Sequence, residues 1–449
     1  MSRWNWHYWR RALLCGMFLA ALPIAGSAAS VGIPNVTADM TRADFWADKL
    51  NQPDRQLLDQ AGIRQFNRQF IQALPDTLFD LHQYPAAISK QVLTGYLQSS
   101  RIPQETMYRN DAPVTADYCN RLTAKLNLAA IQENNAVRYG FTVNRTSIRT
   151  FPTADGVFDS PGDRDFDLFQ ETILDPAEPV VILWQSDDNN WYFIQAYNYR
   201  GWVMASQVAA APDREVWLDY MDESDFLTVT GNKLRLSLVG ADGSAVNPVF
   251  EMGARLPLAA RTAAGRDYQV KLPVRNAAGG LEFRTAVLAA DADVVPGCLA
   301  YTRANILRQA FKLYGQRYGW GGLAEGVDCS SLILDVYRTF GFKLARNADE
   351  QENSFSRNIR FSRDGVMPQQ TLSKLLPGYP LYMNGHVMLY IGEEGGKFYI
   401  LHALSGYGEP SAGGIEPVAV MRVIVSDLTL PRKNGKPFWE AIRTAGILE

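Results

Sequence analysis

The sequence predicts a multidomain α+β protein: a helical N-terminal segment, two small β-barrels, and a C-terminal unit of helices packed on an antiparallel sheet. Three observations support this. Apolar residues recur at helical spacing up to about Leu128, as short alternating strands from about Arg138, and as a mixture after Cys298. At 449 residues the chain exceeds one ordinary domain of roughly 100–200 residues. Pro212 and Pro296-Gly297 mark joins, with no low-complexity linker between units. The expected divisions are 1–29, 30–132, 133–211, 212–296 and 297–449.

The first division reads as a signal peptide. Arg10-Arg11 ends a positive region, an apolar stretch runs from Ala12 to Ala25, and Gly26-Ser27-Ala28-Ala29 offers small residues for cleavage. The apolar run is shorter than the roughly 20 residues that span a bilayer. Cys15 follows Leu14 at the start of that run, which is the wrong place for lipidation. The expectation is export to a periplasm or cell-wall space, with no stable membrane insertion once the leader is removed. A net charge of −3 without a basic run argues against nucleic acid as a partner.

Within 30–132, Phe45, Trp46 and Leu50, then Ile63, Phe66, Phe70 and Ile71, share helical faces, and Pro75 and Pro103 break the helices. His82 stands beside Leu81 and is expected to be a structural histidine in an apolar helical context. From 133, strands are expected at Ser147–Pro152, Pro179–Trp184, Trp191–Gln195 and Gly201–Val203, a pattern that looks like a bacterial SH3-like barrel. A polar loop, Asp159–Asp167, interrupts it, and a long loop in a small barrel usually docks on a neighbour or functions. From Val216 to Val295, strands at Leu234–Leu238, Tyr268–Leu272 and Leu281–Leu288 suggest a second SH3-like unit.

The chemistry concentrates after Cys298. A helix is expected over Arg303–Tyr314, then a glycine-rich loop over Gly319–Gly326, then a helix opening at Asp328-Cys329-Ser330 and running to Phe340. Free amides and the dipole at a helix N-terminus favour a thiolate, the reactive form of cysteine. His386 begins one apolar strand and His402 lies in the next, with Glu393–Lys397 as the turn. Adjacent antiparallel strands would bring the two imidazoles together. His386 could then serve as base towards Cys329, and His402 could orient His386. Cys119 and Cys298 are either a bonded pair or two buried small residues. No histidine–carboxylate pattern of zinc spacing is present, so neither a metal nor another cofactor is expected.

Tyr318-Gly319-Trp320-Gly321-Gly322, Asp328-Cys329-Ser330, Arg346, Gln351, Gly385-His386-Val387 and His402-Ala403 resemble, in order and spacing, the NlpC-type papain-like cell-wall cysteine peptidases. The resemblance runs from about Pro296 to the C-terminus, and the helical segment with two SH3-like units resembles a multidomain branch of that family. It implies a papain-like catalytic domain that hydrolyses peptidoglycan stem peptides or muropeptides, usually between γ-linked D-glutamate and a diamino acid. It assigns Cys329 as nucleophile, His386 as base and His402 as orienting residue. It makes Asp328 and Tyr318 recognise a free substrate N-terminus, with Ser330 and Trp320 completing the substrate-binding set. Asp328 also suits a helix N-terminal anion. With the Asp159–Asp167 loop, the resemblance further implies that the first barrel walls one side of the cleft.

Two positions depart from the family: Ser331 where glycine is common, and Tyr379 where an acidic residue usually follows Pro377-Gly378. Two other functions fit the same residues. One is a wall-binding module with a vestigial site. The other is an amidase or acyltransferase, since an amine can resolve a thioester as water does. A monomer is expected.

Overall fold

The computed structural model describes residues 32–261, 268–362 and 365–449, so the expected signal peptide lies outside the described residues. No described helix is long and apolar enough to cross a membrane.

The helical segment forms no core of its own. Its helices start where the sequence supplies caps: Asp59 accepts from the Gly62 amide, Ser89 from Val92, and Thr115 from Tyr118. Trp46, Ile63 and Phe70 are buried with the C-terminal unit, whereas Leu81, Leu93, Leu97, Tyr118 and Leu122 are buried with the barrels. His82 has hydrogen-bond partners, as a structural histidine should, but its setting is not the apolar one expected. It is exposed in a one-turn 3₁₀ helix, its Nδ1 3.2 Å from Asp80 and its Nε2 2.7 Å from Asp222. The neighbouring Leu81 takes the buried position, because successive residues of a tight turn point to different sides.

The first β-unit is a seven-stranded antiparallel sheet. Its spatial order is Val208–Ala210, Arg138–Thr142, Pro179–Gln185, Trp191–Gln195, Arg200–Met204, Thr146–Arg149 and Gln170–Leu174. Alternation divides its apolar residues. Val180, Ile182 and Ile194 fill one face, while Val181, Leu183 and Trp202 meet the helices and the second unit on the other. The long loop is tied down by Asp167, which pairs with buried Arg149 and accepts from the amides of Val157 and Phe169.

The second β-unit opens with a helix, Arg214–Met221, where sequence reasoning expected β-structure from Val216. Asp213 caps it, and Trp217 is fully buried with its indole N–H donating to the Gly140 carbonyl at 3.0 Å. That contact to the first unit is long-range, so local pattern does not reveal it. Five strands follow in the spatial order Leu281–Leu288, Tyr268–Arg275, Arg255–Arg261, Phe226–Val229, Val294–Pro296. The expected strand Leu234–Leu238 is two short ones, Lys233–Arg235 and Leu238–Val239.

The C-terminal unit is α+β. Its antiparallel sheet has the order Asn358–Arg360, Thr444–Gly446, Pro380–Met383, His386–Glu394, Lys397–Ser411, Gly414–Asp427. The cysteine helix, Cys329–Arg338, lays Leu332, Ile333, Val336 and Tyr337 on one face of this sheet, against Val387, Leu389, Leu401 and Val423. Met388, Tyr390, Ile400, Ile424 and Phe438 form a separate core on the other face. Both faces are covered, which is why these strands read as continuous apolar runs. The two histidine strands run beyond the expected His386–Ile391 and Phe398–Ala403 and turn at Gly395-Gly396, both at positive φ (56° and 73°).

Candidate active site

Cys329 is the first residue of its helix, and Asp328 is the N-cap. A reciprocal capping box holds the start: Asp328 Oδ1 accepts from the Ser331 amide at 2.9 Å, and Ser331 Oγ accepts from the Asp328 amide at 2.9 Å. Ser331, the departure from the family pattern, therefore closes the cap, a role glycine could not fill.

Asp328 is buried and paired in bidentate fashion with Arg346, at 3.1 and 2.6 Å. It also accepts from the Gly321 amide at 3.0 Å and the Ser330 hydroxyl at 3.3 Å. Burial opposes its ionisation. The charge and hydrogen bonds of Arg346, with the Ser331 amide and hydroxyl, outweigh that and hold the carboxyl below its usual value. Arg346 donates further to Ser330 Oγ (2.9 Å) and to Thr172 Oγ1 of the first barrel (2.5 Å). Gln351 holds the Ser330 and Ala345 carbonyls at 3.1 and 2.9 Å. Arg346 and Gln351 thus belong to the scaffold under the cysteine.

The glycine-rich loop is built for contact with the same barrel. Gly321 (φ 54°) and Gly322 (φ 80°) adopt left-handed backbone, and a Cβ would come within 2.8 Å of Gln170 at the first and 2.7 Å of Ile173 at the second. Gln170 donates to the Gly321 carbonyl at 2.8 Å. Phe166 of the long loop packs 6.0 Å from the ring of Tyr318 and 6.1 Å from that of Trp320. Arg317 pairs with Asp165 at 2.9 Å. The loop docks beside the aromatic segment that leads to Cys329.

The histidines meet as their strands predict. His386 Nε2 lies 2.9 Å from His402 Nδ1, leaving Nδ1 of His386 free of that contact. His402 is fully buried, while His386 and Cys329 keep partial exposure. The amide of Val387, the residue after His386, faces the sulfur together with the Ser330 amide. Burial and then the Asp328 carboxylate push the Cys329 thiol up to about 12. Burial brings His386 down to about 4, against the pull of Asp328. Burial, then His386, pushes His402 well below the usual imidazole range. Both shifts favour the neutral forms, thiol and imidazole, whereas the helix-terminus argument alone favours a thiolate. The carboxylate that caps the helix opposes the dipole.

Tyr318 is buried and its hydroxyl stays protonated, raised by burial and by the neighbouring Cys329 and Asp328 charges. Ser330 is buried beneath the cap and Trp320 is half-buried. Among the described residues, Cys119, Cys298 and Cys329 are free thiols, and no cluster of histidine, cysteine and acidic side chains could hold a metal. Sequence reasoning did not assign Ser426, whose hydroxyl lies 3.2 Å from His402 Nε2. Nothing local marks it, since it comes from the next strand of the sheet.

Residues 315–409 match the NlpC/P60 family, and residues 156–204 match the SH3 domain of SH3b1 type. The first of these matches indicates a cysteine hydrolase. No curated protein matches the sequence. Among solved structures, a novel NlpC/P60 endopeptidase from Photobacterium damselae subsp. piscicida superposes with a TM-score of 0.72 at 20% identity, covering 90% of this chain and 96% of that one. The likeness is one of fold, and it takes in the N-terminal segment and both β-units. NlpC2 from Trichomonas vaginalis aligns over 66% of this chain and 99% of its own, at 14% identity and a TM-score of only 0.24.

Proposed function

We propose that this chain, with an NlpC/P60 domain behind an SH3b1-type SH3 domain, is an exported, monomeric cysteine endopeptidase that cleaves peptidoglycan stem peptides. The bond is that between γ-D-glutamate and a diamino acid, and the preferred substrate carries a free N-terminal L-Ala. The observation that carries the reading is the His386–His402 contact of 2.9 Å, with the Val387 amide at the Cys329 sulfur, inside the stretch matched to NlpC/P60.

In this reading His386 Nδ1 takes the Cys329 proton as the sulfur attacks the peptide carbonyl, because both groups start neutral. Backbone amides at the helix start face the developing oxyanion. The proton then passes to the leaving amine, and water resolves the thioester. His402 orients the base. Phe166 and Trp320 wall the cleft on the barrel side, which suits a short peptide better than crosslinked wall.

Asp328 and Tyr318 are the proposed contacts for the substrate ammonium. Asp328 is already bound by Arg346 and the cap, so the ammonium would replace its longest contact, Ser330 Oγ.

The test is mass spectrometry of products from L-Ala-γ-D-Glu-diaminopimelate, with and without an N-terminal sugar. The parent protein should release L-Ala-γ-D-Glu from the free tripeptide and act far more slowly on the sugar-bearing form. Cys329→Ala should stay folded and lose at least roughly 10³-fold in rate. Full activity in that variant removes the thiol mechanism. Wall binding without turnover favours the vestigial module, and an aminolysis product favours acyl transfer.

A further inference from the structure

We propose that Ser426 is a positioning residue whose hydroxyl accepts the Nε2–H of His402 and so keeps His386 in the tautomer that can act as a base. This rests on the relay reading above. Ser426 lies on the strand Gly414–Asp427, where it pairs with Ile400 while Ile424 pairs with His402. Ser426 and His402 are therefore diagonal neighbours on one sheet face. Both are fully buried, with Oγ 3.2 Å from Nε2. Phe438 covers the pair, its ring 5.3 Å from His402 and 5.9 Å from His386.

The argument follows the protons. A neutral imidazole carries one N–H. His386 contacts His402 through Nε2, so only its Nδ1 remains to receive a proton. For Nδ1 to be unprotonated, Nε2 of His386 must carry the hydrogen and donate to Nδ1 of His402. The hydrogen of His402 is then on Nε2, where Ser426 is the acceptor. In the reverse arrangement Ser426 donates to Nε2, His402 donates to His386, and His386 carries its hydrogen on Nδ1 and is no base. A hydroxyl can satisfy Nε2 either way. Alanine satisfies neither, and a buried N–H without a partner is worse tolerated than a buried lone pair. Ser426→Ala thus drives the proton of His402 to Nδ1 and the relay into its idle form. Nothing leaves or enters the molecule in this exchange.

The test compares the parent protein with Ser426→Ala and Ser426→Thr, labelled with ¹⁵N at histidine. Four histidines in the sequence keep the spectra simple. In the parent, His402 and His386 should both be protonated at Nε2. In Ser426→Ala both hydrogens should move to Nδ1, and kcat should fall on the order of 10–100-fold with KM unchanged, as when a group behind a working histidine is removed. Ser426→Thr should restore the parent tautomers and most of kcat. A parent His402 protonated at Nδ1 overturns the proposal, as does a Ser426→Ala protein that keeps the Nε2–H pattern. The spectra need no substrate, so they decide the role of Ser426 even if tripeptide hydrolysis fails and takes the functional reading with it.

Discussion

The two ends of the cysteine helix hold buried ion pairs of opposite character. At the N-terminus, Asp328 meets one guanidinium, that of Arg346, and every contact is matched by backbone or hydroxyl donors. At the C-terminus, Arg338 meets Asp175 at 3.0 Å and Glu178 at 2.7 Å from the first barrel, with Asp335 of its own helix at 3.8 Å. Glu251 of the second barrel, bound by Arg145 and Lys233, lies close enough to act on Asp335. Three carboxylates share the one Arg338 guanidinium there. Burial, more than its neighbours, lifts Asp335 to about 8, and Glu178 is raised as well. Both pairs suit the helix dipole, acid at the start and base at the end. They differ in how they respond to loss. A guanidinium cannot shed its proton, whereas a carboxylate can take one up.

The sharpest way to break the N-terminal end is Asp328→Asn, which keeps the cap but leaves Arg346 buried without a counter-charge. A loss of about 3–5 kcal/mol is expected, read by denaturant unfolding. The Cys329 thiol should titrate lower, because the carboxylate that raises it is gone, and the pH dependence of alkylation checks this.

At the other end, Arg338→Met should cost less, about 2–4 kcal/mol, because the stranded carboxylates can protonate. That relief predicts that the variant loses less stability at pH 5 than at pH 8. An equal loss at both values would mean that the cluster does not buffer itself.

Asp335→Asn should act in the opposite direction, with a gain in stability that depends on pH. The folded carboxyl, raised above its ordinary value of 3.8 to about 8, holds its proton longer than the unfolded one. Its burial therefore costs nothing below about pH 4 and lowers stability progressively as pH rises to about 8. The amide should match the parent at pH 4 and exceed it at pH 8, and thermal unfolding at both values measures the difference.

Much of the site was legible in sequence. The helix start at Asp328-Cys329 follows from a cap and an apolar stripe within ten residues. The meeting of His386 and His402 follows from two apolar strands with a Gly-Gly turn between them. The SH3-like pattern of the first barrel was equally local. What escaped reading depends on side chains far apart in the chain. Arg346 is recognisable as a motif residue, but nothing in spacing shows that it grips Asp328 and Thr172 together. The helical segment looks like one unit, yet Trp46 and Phe70 serve one core and Leu93 and Leu122 another. The thiolate expected at the helix terminus is opposed by burial and by the Asp328 carboxylate, neither of which local pattern reveals.

By itself, the sequence determined the order of the units, the position of the thiol at a helix start and the pair of histidine strands, because caps, periodicity and turns act over a few residues. The tertiary structure decided which charges are paired and which segments dock on the cysteine helix. Those depend on burial and on the close approach of segments such as Phe166 and Trp320, or Ser426 and His402, which only the assembled sheet and barrels bring together.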